Sequence, residues 1–206
     1  MNYLSTDEPY PRGEVQMKGP SIFQGYYKRE DKTAECFDEQ GWFCTGDVAQ
    51  IYPNGSIKII DRSKNIFKLS QGEYIAPEKI ENILALSPMI ANCFIYGDSM
   101  KNNVVAVVVP DEKWVLGWAE TKGLDQNFGA LVSNDALKQE IQKDMLRLAV
   151  ENKLSSLEKP KQMLLYHELP EKCITPTFKL KRNVASVFFK EQIDEMYAKI
   201  AEAEAA

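Results

Sequence analysis

The 206 residues include 25 Lys and Arg against 30 Asp and Glu, a net charge of −5, so the chain lacks the basic surplus of a protein built on nucleic acid. With 44% hydrophobic and 27% charged residues it has a globular composition, unlike collagen, disordered chains or disulfide scaffolds. His167, the one histidine, cannot build a His-rich zinc centre, and a serine-histidine-carboxylate site would have to use that ring as its base. Cys36, Cys44, Cys93 and Cys173 have no C-x-x-C spacing and read as free thiols of a reducing compartment. The longest apolar run, residues 104–109, is far short of the ~20 residues that cross a bilayer.

Residues 1–12 are polar, with Pro9 and Pro11, an unusual opening for a domain that hints at the tail of something longer. Glu14-Val15-Gln16-Met17 alternates as one strand. Residues 48–52 and 56–60 flank Pro53-Asn54-Gly55, a strong hairpin signal with Gly55 expected at positive φ. The polar run Asp61-Arg62-Ser63-Lys64-Asn65 is the candidate domain boundary, dividing a β-rich piece, residues 1–62, from an α+β domain, residues 63–206. A small hairpin follows, residues 66–69 and 74–75 around Gln71-Gly72. Then comes a helix with Pro77 in its first turn and Ile80, Ile83 and Leu84 on its apolar face. Residues 91–96 and 104–110 read as strands, the second apolar enough to be covered on both faces. Helices are expected over residues 112–121 and 135–154, the latter with a Leu137, Ile141, Met145, Leu148 stripe that reads as core. A third strand is expected over residues 162–166 and one amphipathic helix over residues 183–203.

Three clusters carry residues suited to chemistry. Thr45-Gly46-Asp47, read as a tight turn, places a carboxylate where it could accept hydrogen bonds from the vicinal hydroxyls of a ribose, or else satisfy turn amides. In the boundary run, Arg62 can fork onto phosphate or ribose oxygens while Lys64 and Lys68 add point charges suited to an anionic ligand; the plain alternative is a solvated linker. In Thr175-Pro176-Thr177-Phe178-Lys179-Leu180-Lys181-Arg182, a lysine in a loop could neutralise charge developing on phosphate and carboxylate oxygens, or be ordinary basic surface. His167 at a strand end reads as structural, and Trp42, Trp114 and Trp118 as core or capping aromatics.

Taken in order, these clusters resemble the later motifs of the adenylate-forming acyl-CoA synthetases, specifically the long-chain fatty acid CoA ligases. The resemblance is carried by GWFCTGDVAQIYPNGSIKIIDRSKNIFKLSQGEYIAPEKIEN (residues 41–82), ITPTFKLKR (residues 174–182) and PRGEVQMKGPSIFQGYYK (residues 11–28). It implies a small C-terminal lid domain with a short mixed sheet flanked by helices, preceded by a β-rich remnant of the large domain. The implied reaction runs from fatty acid and ATP to an acyl-adenylate and pyrophosphate, then with coenzyme A to acyl-CoA and AMP. The resemblance makes Lys179 the adenylation lysine, with Lys181 two residues away as the competing register, and Lys64 the hinge of the lid. It puts Asp47 on the ribose hydroxyls, Arg62 on the nucleotide, Lys68 among the cofactor-binding residues, and Gly72 beside the pantetheine arm. Ser63-Lys64 stands where other branches place an aspartate, and the lysine loop lacks the glycine many relatives carry.

The resemblance implies that the phosphate loop, adenine pocket and acyl tunnel belong to a large N-terminal domain, and no phosphate-cradling loop of the G-x-x-x-x-G-K or another type occurs in the chain, so ATP, fatty acid and coenzyme A are expected to meet mostly residues of that missing domain. That domain would also supply the ligands of Mg2+. The fragment alone is expected to be inactive and to lie in the cytoplasm or on the cytosolic face of a membrane, that of endoplasmic reticulum, mitochondrion or peroxisome, with any membrane attachment made through regions outside it. Two other readings remain open: a ligase for another carboxylic acid class, and a non-enzymatic binding or regulatory module that retains the lid fold.

Overall fold

The computed structural model describes residues 3–177 and 179–205, which divide into two compact units, Met1–Ile66 and Phe67–Ala206. Phe178, in the lysine loop, lies outside the described residues.

The first unit is a three-stranded antiparallel sheet of β1 (Arg12–Met17), β2 (Phe43–Ile51) and β3 (Ile57–Arg62), in that order, with a short helix α1 (Glu30–Cys36) between β1 and β2. The β2–β3 hairpin turns through Asn54 and Gly55; the side chain of Asn54 accepts the Ser56 amide at 3.0 Å, and Gly55 takes φ +81° as its turn requires. β2 begins earlier than the sequence reading placed it, and this moves Thr45-Gly46-Asp47 from a turn into a strand. The register explains the local shape: Glu14 pairs with Val48 and Gln16 with Cys44, so residues 45–47 bulge opposite Val15 alone. Phe23, Tyr26, Phe37 and Phe43 form an aromatic cluster, with ring centroids 5.1–5.8 Å apart around Phe23.

The second unit opens with the two-stranded hairpin β4 (Phe67–Lys68) and β5 (Tyr74–Ile75) and the helix α2 (Pro77–Leu84), whose first residue is the proline. Its central sheet, in the order β6 (Ile90–Tyr96), β7 (Val105–Pro110), β8 (Gln162–Leu165), is mixed: β6 and β7 are antiparallel, β7 and β8 parallel. The parallel pair needs a long crossover, and α3 (Glu112–Lys122), α4 (Phe128–Leu131) and α5 (Asp135–Glu151) supply it. Asp111, Asn127 and Asn134 cap the three helices through their side chains. A 3-10 turn (Glu171–Cys173) leads through the lysine loop to α6 (Arg182–Phe188) and α7 (Lys190–Ala205).

β7 is buried along its whole length because it has helices on both sides. Ala106 and Val108 pack with Leu84, Leu137, Ile141 and Met145, while Val105, Val107 and Val109 pack with Phe189, Ile193 and Met196. The expected single C-terminal helix is two helices meeting at Phe189, whose ψ of 16° departs from helical values. Phe189 is fully buried and meets Tyr166 edge-on at 5.0 Å, so core packing sets the bend. Among the described residues no helix is long and apolar enough to cross a membrane.

Candidate functional site

In the first unit, the bulge in β2 builds the Asp47 site. Gly46 takes φ +74°, its amide donates to Glu14 Oε1 at 3.0 Å, and its carbonyl accepts the Ser63 amide at 2.7 Å. A side chain at position 46 would strain this left-handed backbone. Thr45 Oγ1 accepts the Asp47 amide at 3.1 Å and donates to the Val15 carbonyl at 2.8 Å. The threonine thus does the work of a turn cap, and among the described residues no backbone amide donates to the Asp47 carboxylate. That carboxylate faces Arg62, Oδ1 to Nε 3.2 Å, the two residues being cross-strand partners of β2 and β3. Both remain solvent-accessible, at 34% and 64%, so the pair contributes at most ~1 kcal/mol to stability while holding a carboxylate and a guanidinium side by side.

The boundary run is not a solvated linker throughout. Asp61 is 1% exposed and its Oδ1 accepts the Arg62 amide at 2.6 Å and Asn65 Nδ2 at 3.3 Å, and Arg62 closes β3. Only residues 63–65 form the turn, tied back by the amides of Asn65 and Ile66 to the Arg62 carbonyl at 3.0 and 3.2 Å. Lys64 is exposed on that turn, just before the end of the first unit. The buried Asp61 was not singled out from sequence; its i, i+4 spacing to Asn65 was the available signal.

In the second unit, Lys68 and Gly72 share the β4–β5 hairpin. Gly72, at φ +92°, donates its amide to the Leu69 carbonyl at 2.9 Å, and the exposed Lys68 ammonium lies 5.4 Å from the Tyr74 ring centroid. The hairpin tip is held by the loop before β7: the Ser70 amide donates to the Lys101 carbonyl at 3.0 Å, Gln71 Nε2 to the Asn102 carbonyl at 2.9 Å, and the Ser70 hydroxyl bonds the Asn102 side chain.

Lys179 sits on a separate tight loop. Ile174 and Leu180 form an antiparallel bridge; the Thr175 amide donates to the Lys179 carbonyl at 2.8 Å, and the Lys179 amide to Thr175 Oγ1 at 3.0 Å. The Lys179 side chain is exposed, and no ion pair holds its ammonium among the described residues. Lys181 is half-buried at the N-cap of α6, its amide donating to the Cys173 carbonyl at 2.7 Å. Arg182, next in sequence, makes a two-point ion pair with Glu81 of α2; Nη1 is 2.9 Å from Oε1, and Nη2 also bonds Oε2. Arg182 belongs to the cluster read from sequence, but its pairing with Glu81 was not legible there, the two lying 101 positions apart. Burial pushes the nearby Cys93 thiol well above its usual pKa; Glu81 adds to the rise and Arg182 opposes it.

His167 is exposed and stacks on Tyr166 with centroids 4.7 Å apart. Trp114 and Trp118 pack against the core as read from sequence, whereas Trp42 is 39% exposed, with the Lys18 ammonium 5.8 Å from its ring centroid. All four cysteines are free. Among the described residues no group of three or more His, Cys, Asp or Glu side chains converges as a resident metal would require.

The architecture is similar to that of the adenylation domains of carboxylic acid reductases. It superposes on the adenylation domain of a carboxylate reductase from Mycobacterium chelonae with a TM-score of 0.82 and 34% identity, over 96% of this chain and 29% of that one. The adenylation–carrier didomain of a carboxylic acid reductase from Segniliparus rugosus, solved with AMP, gives 0.83 and 32%, over 99% and 27%.

At the level of sequence, the chain is similar to long-chain acyl-CoA synthetases, also named long-chain-fatty-acid–CoA ligases. It is 45% identical over 205 residues to the peroxisomal long chain acyl-CoA synthetase 7 of Arabidopsis thaliana, covering 98% of this chain. It is 44% identical over 203 residues to long-chain-fatty-acid–CoA ligase 1 of Homo sapiens, covering 97%. The chain spans only 29% of the length of each of these relatives. No protein-family model matches it.

Proposed function

We propose that the chain is the C-terminal portion of a long-chain fatty acid CoA ligase, in which residues 63–206 are the lid and residues 1–62 complete the large domain. The observation that carries this is 44–46% identity along 97–98% of the chain to such ligases. In this reading the Asp47 carboxylate accepts hydrogen bonds from the ribose hydroxyls of ATP, and Arg62 beside it contacts the nucleotide. Their exposed, side-by-side arrangement at 3.2 Å supports that use.

Adenylation joins a carboxylate to a phosphate that is itself anionic. A positioned ammonium lowers that repulsion and stabilises the in-line transition state. The exposed Lys179 ammonium, held on a braced loop and in no ion pair among the described residues, suits the task better than Lys181, which is half-buried at a helix N-cap. The same ammonium would obstruct the thiol in the second step, so the lid swings about Lys64 and brings the Gly72 turn, with Lys68, to the pantetheine arm. Magnesium would accompany ATP, bound by residues of the absent domain. The cytosolic face of an organelle membrane is the location we propose, the Arabidopsis relatives being peroxisomal by name.

The test is a chimera in which this chain replaces the corresponding segment of the human ligase. It should form palmitoyl-CoA from palmitate, ATP and coenzyme A, while the chain alone should not. Lys179→Ala should lower palmitate-dependent ATP–pyrophosphate exchange about 100-fold or more, and Lys181→Ala far less. A folded chimera that exchanges normally with Lys179→Ala would overturn the assignment and favour a binding module.

A further inference from the structure

The Lys179 loop is exposed at Pro176, Thr177 and Lys179, and among its described residues it is closed by the Ile174–Leu180 bridge, by main-chain hydrogen bonds and by the Lys179 amide donated to Thr175 Oγ1. Its C-terminal side is fastened differently. Lys181 passes directly into α6, where its carbonyl accepts the amides of Val184 and Ala185 at 3.0 and 2.9 Å. The first residue of that helix, Arg182, reaches helix α2 and grips Glu81 by both terminal guanidinium nitrogens. Glu81 is itself fixed, because its Oε1 also accepts the Ile95 amide of β6 at 2.7 Å. The side chains are only 17% and 14% exposed, so the pair is shielded from solvent competition, and its forked geometry fixes orientation as well as distance.

A continuous line of hydrogen bonds thus runs from the central sheet through Glu81 and Arg182 to the root of the loop, three residues from Lys179. We propose that Glu81 and Arg182 are positioning residues that preset the Lys179 loop for the adenylation half-reaction. The proposal rests on the reading of Lys179 given above. An ammonium that must meet a developing charge needs its backbone held to a fraction of an ångström, because a displacement of about 1 Å can cost about 100-fold in rate. Glu81 never approaches substrate in this scheme; it acts through Arg182.

Two variants separate positioning from mere folding. Glu81→Gln keeps size and the acceptor for the Ile95 amide but removes the negative charge opposite Arg182, a costly change in a shielded site. The double variant Glu81→Gln/Arg182→Gln removes both charges and relieves that cost. In the 206-residue chain, the double variant should speed amide hydrogen exchange of Thr175, Lys179 and Lys181 about tenfold or more while leaving the β7 amides unchanged. In the chimera, it should lower kcat for ATP–pyrophosphate exchange about 10- to 100-fold, with KM for ATP within twofold and thioester formation from supplied acyl-adenylate unchanged. Glu81→Asp should recover part of the exchange rate.

Unchanged loop amides would overturn the proposal whatever the activity. Equal loss in both half-reactions together with faster exchange in β7 would also overturn it, by reducing the pair to a fold contact. If instead the loop amides respond but Lys179→Ala leaves pyrophosphate exchange intact, the clamp stands and the catalytic reading of Lys179 falls.

Discussion

Asp47 shows how one side chain is made available by its neighbours. In a bulged strand its amide is taken by Thr45 Oγ1 and the adjacent Gly46 bonds Glu14 and Ser63, so the local polar demands are met without the Asp47 carboxylate. What remains is an oxygen pair facing one guanidinium and water. Asp47→Asn keeps the shape and removes the charge. In the chimera it should raise KM for ATP about tenfold, the worth of a charge-assisted hydrogen bond, while moving the stability of the fold by less than about 1 kcal/mol, since the Arg62 pair is exposed. Steady-state kinetics beside a urea melt checks both. An unchanged KM would remove Asp47 from the nucleotide site, and a large stability loss would make it a structural residue.

At the scale of elements, what could be read from sequence was whatever a local rule specifies. Asn54-Gly55 between apolar runs demanded a hairpin, Pro77 opened a helix, and the unbroken apolar run ending at Val109 meant a strand with cover on both faces. What escaped depended on partners distant in sequence or on too little periodicity. Helix α1 buries only Cys36 and has no side-chain cap, so it carries no helical stripe. The bend at Phe189 lies within a stripe that runs unbroken from Ala185 to Ile193, and only Tyr166 on the facing segment reveals it. For the candidate site the residue types were legible but their setting was not: Asp47 was placed in a turn and Asp61 in a linker, because a bulge depends on the register with β1. The tether of the β4–β5 hairpin is another such long-range feature, joining Ser70 and Gln71 to Asn102. If the Gly72 turn meets the pantetheine arm, loosening this tether should harm only the second half-reaction. Asn102→Ala removes the exposed Ser70 contact, and should slow thioester formation from supplied acyl-adenylate about threefold to tenfold in the chimera, with pyrophosphate exchange unchanged. Equal effects on the two half-reactions would count against a dedicated role for the hairpin.

The two units differ sharply in how they hold themselves together. Among the described residues of the first, only Cys36, Val48 and Ala49 are buried apolar side chains, and Ile51, Ile57 and Ile59 of its hairpin are 48%, 58% and 54% exposed. Ile57 and Ile59 share one strand face, and Ile51 is the cross-strand partner of Ile57, so the three form an apolar patch at the hairpin end. A unit of 66 residues with so little burial falls short of the core that a domain of that size needs to offset chain entropy. In our proposal this patch is covered by the rest of the large domain. The second unit contains both apolar clusters, from Leu69 to Ile200, and its central strand is enclosed on either face. Residues 67–206 alone should therefore unfold cooperatively, within about 4 °C of the main transition of the whole chain. Residues 1–66 alone should show no cooperative transition, and in the whole chain their strand amides should exchange fastest. Calorimetry of the two pieces, with hydrogen exchange on the intact chain, tests this. A sharp melt of residues 1–66 in isolation would mean that the hairpin face needs no cover, and would remove the physical argument that this piece is the end of a larger domain.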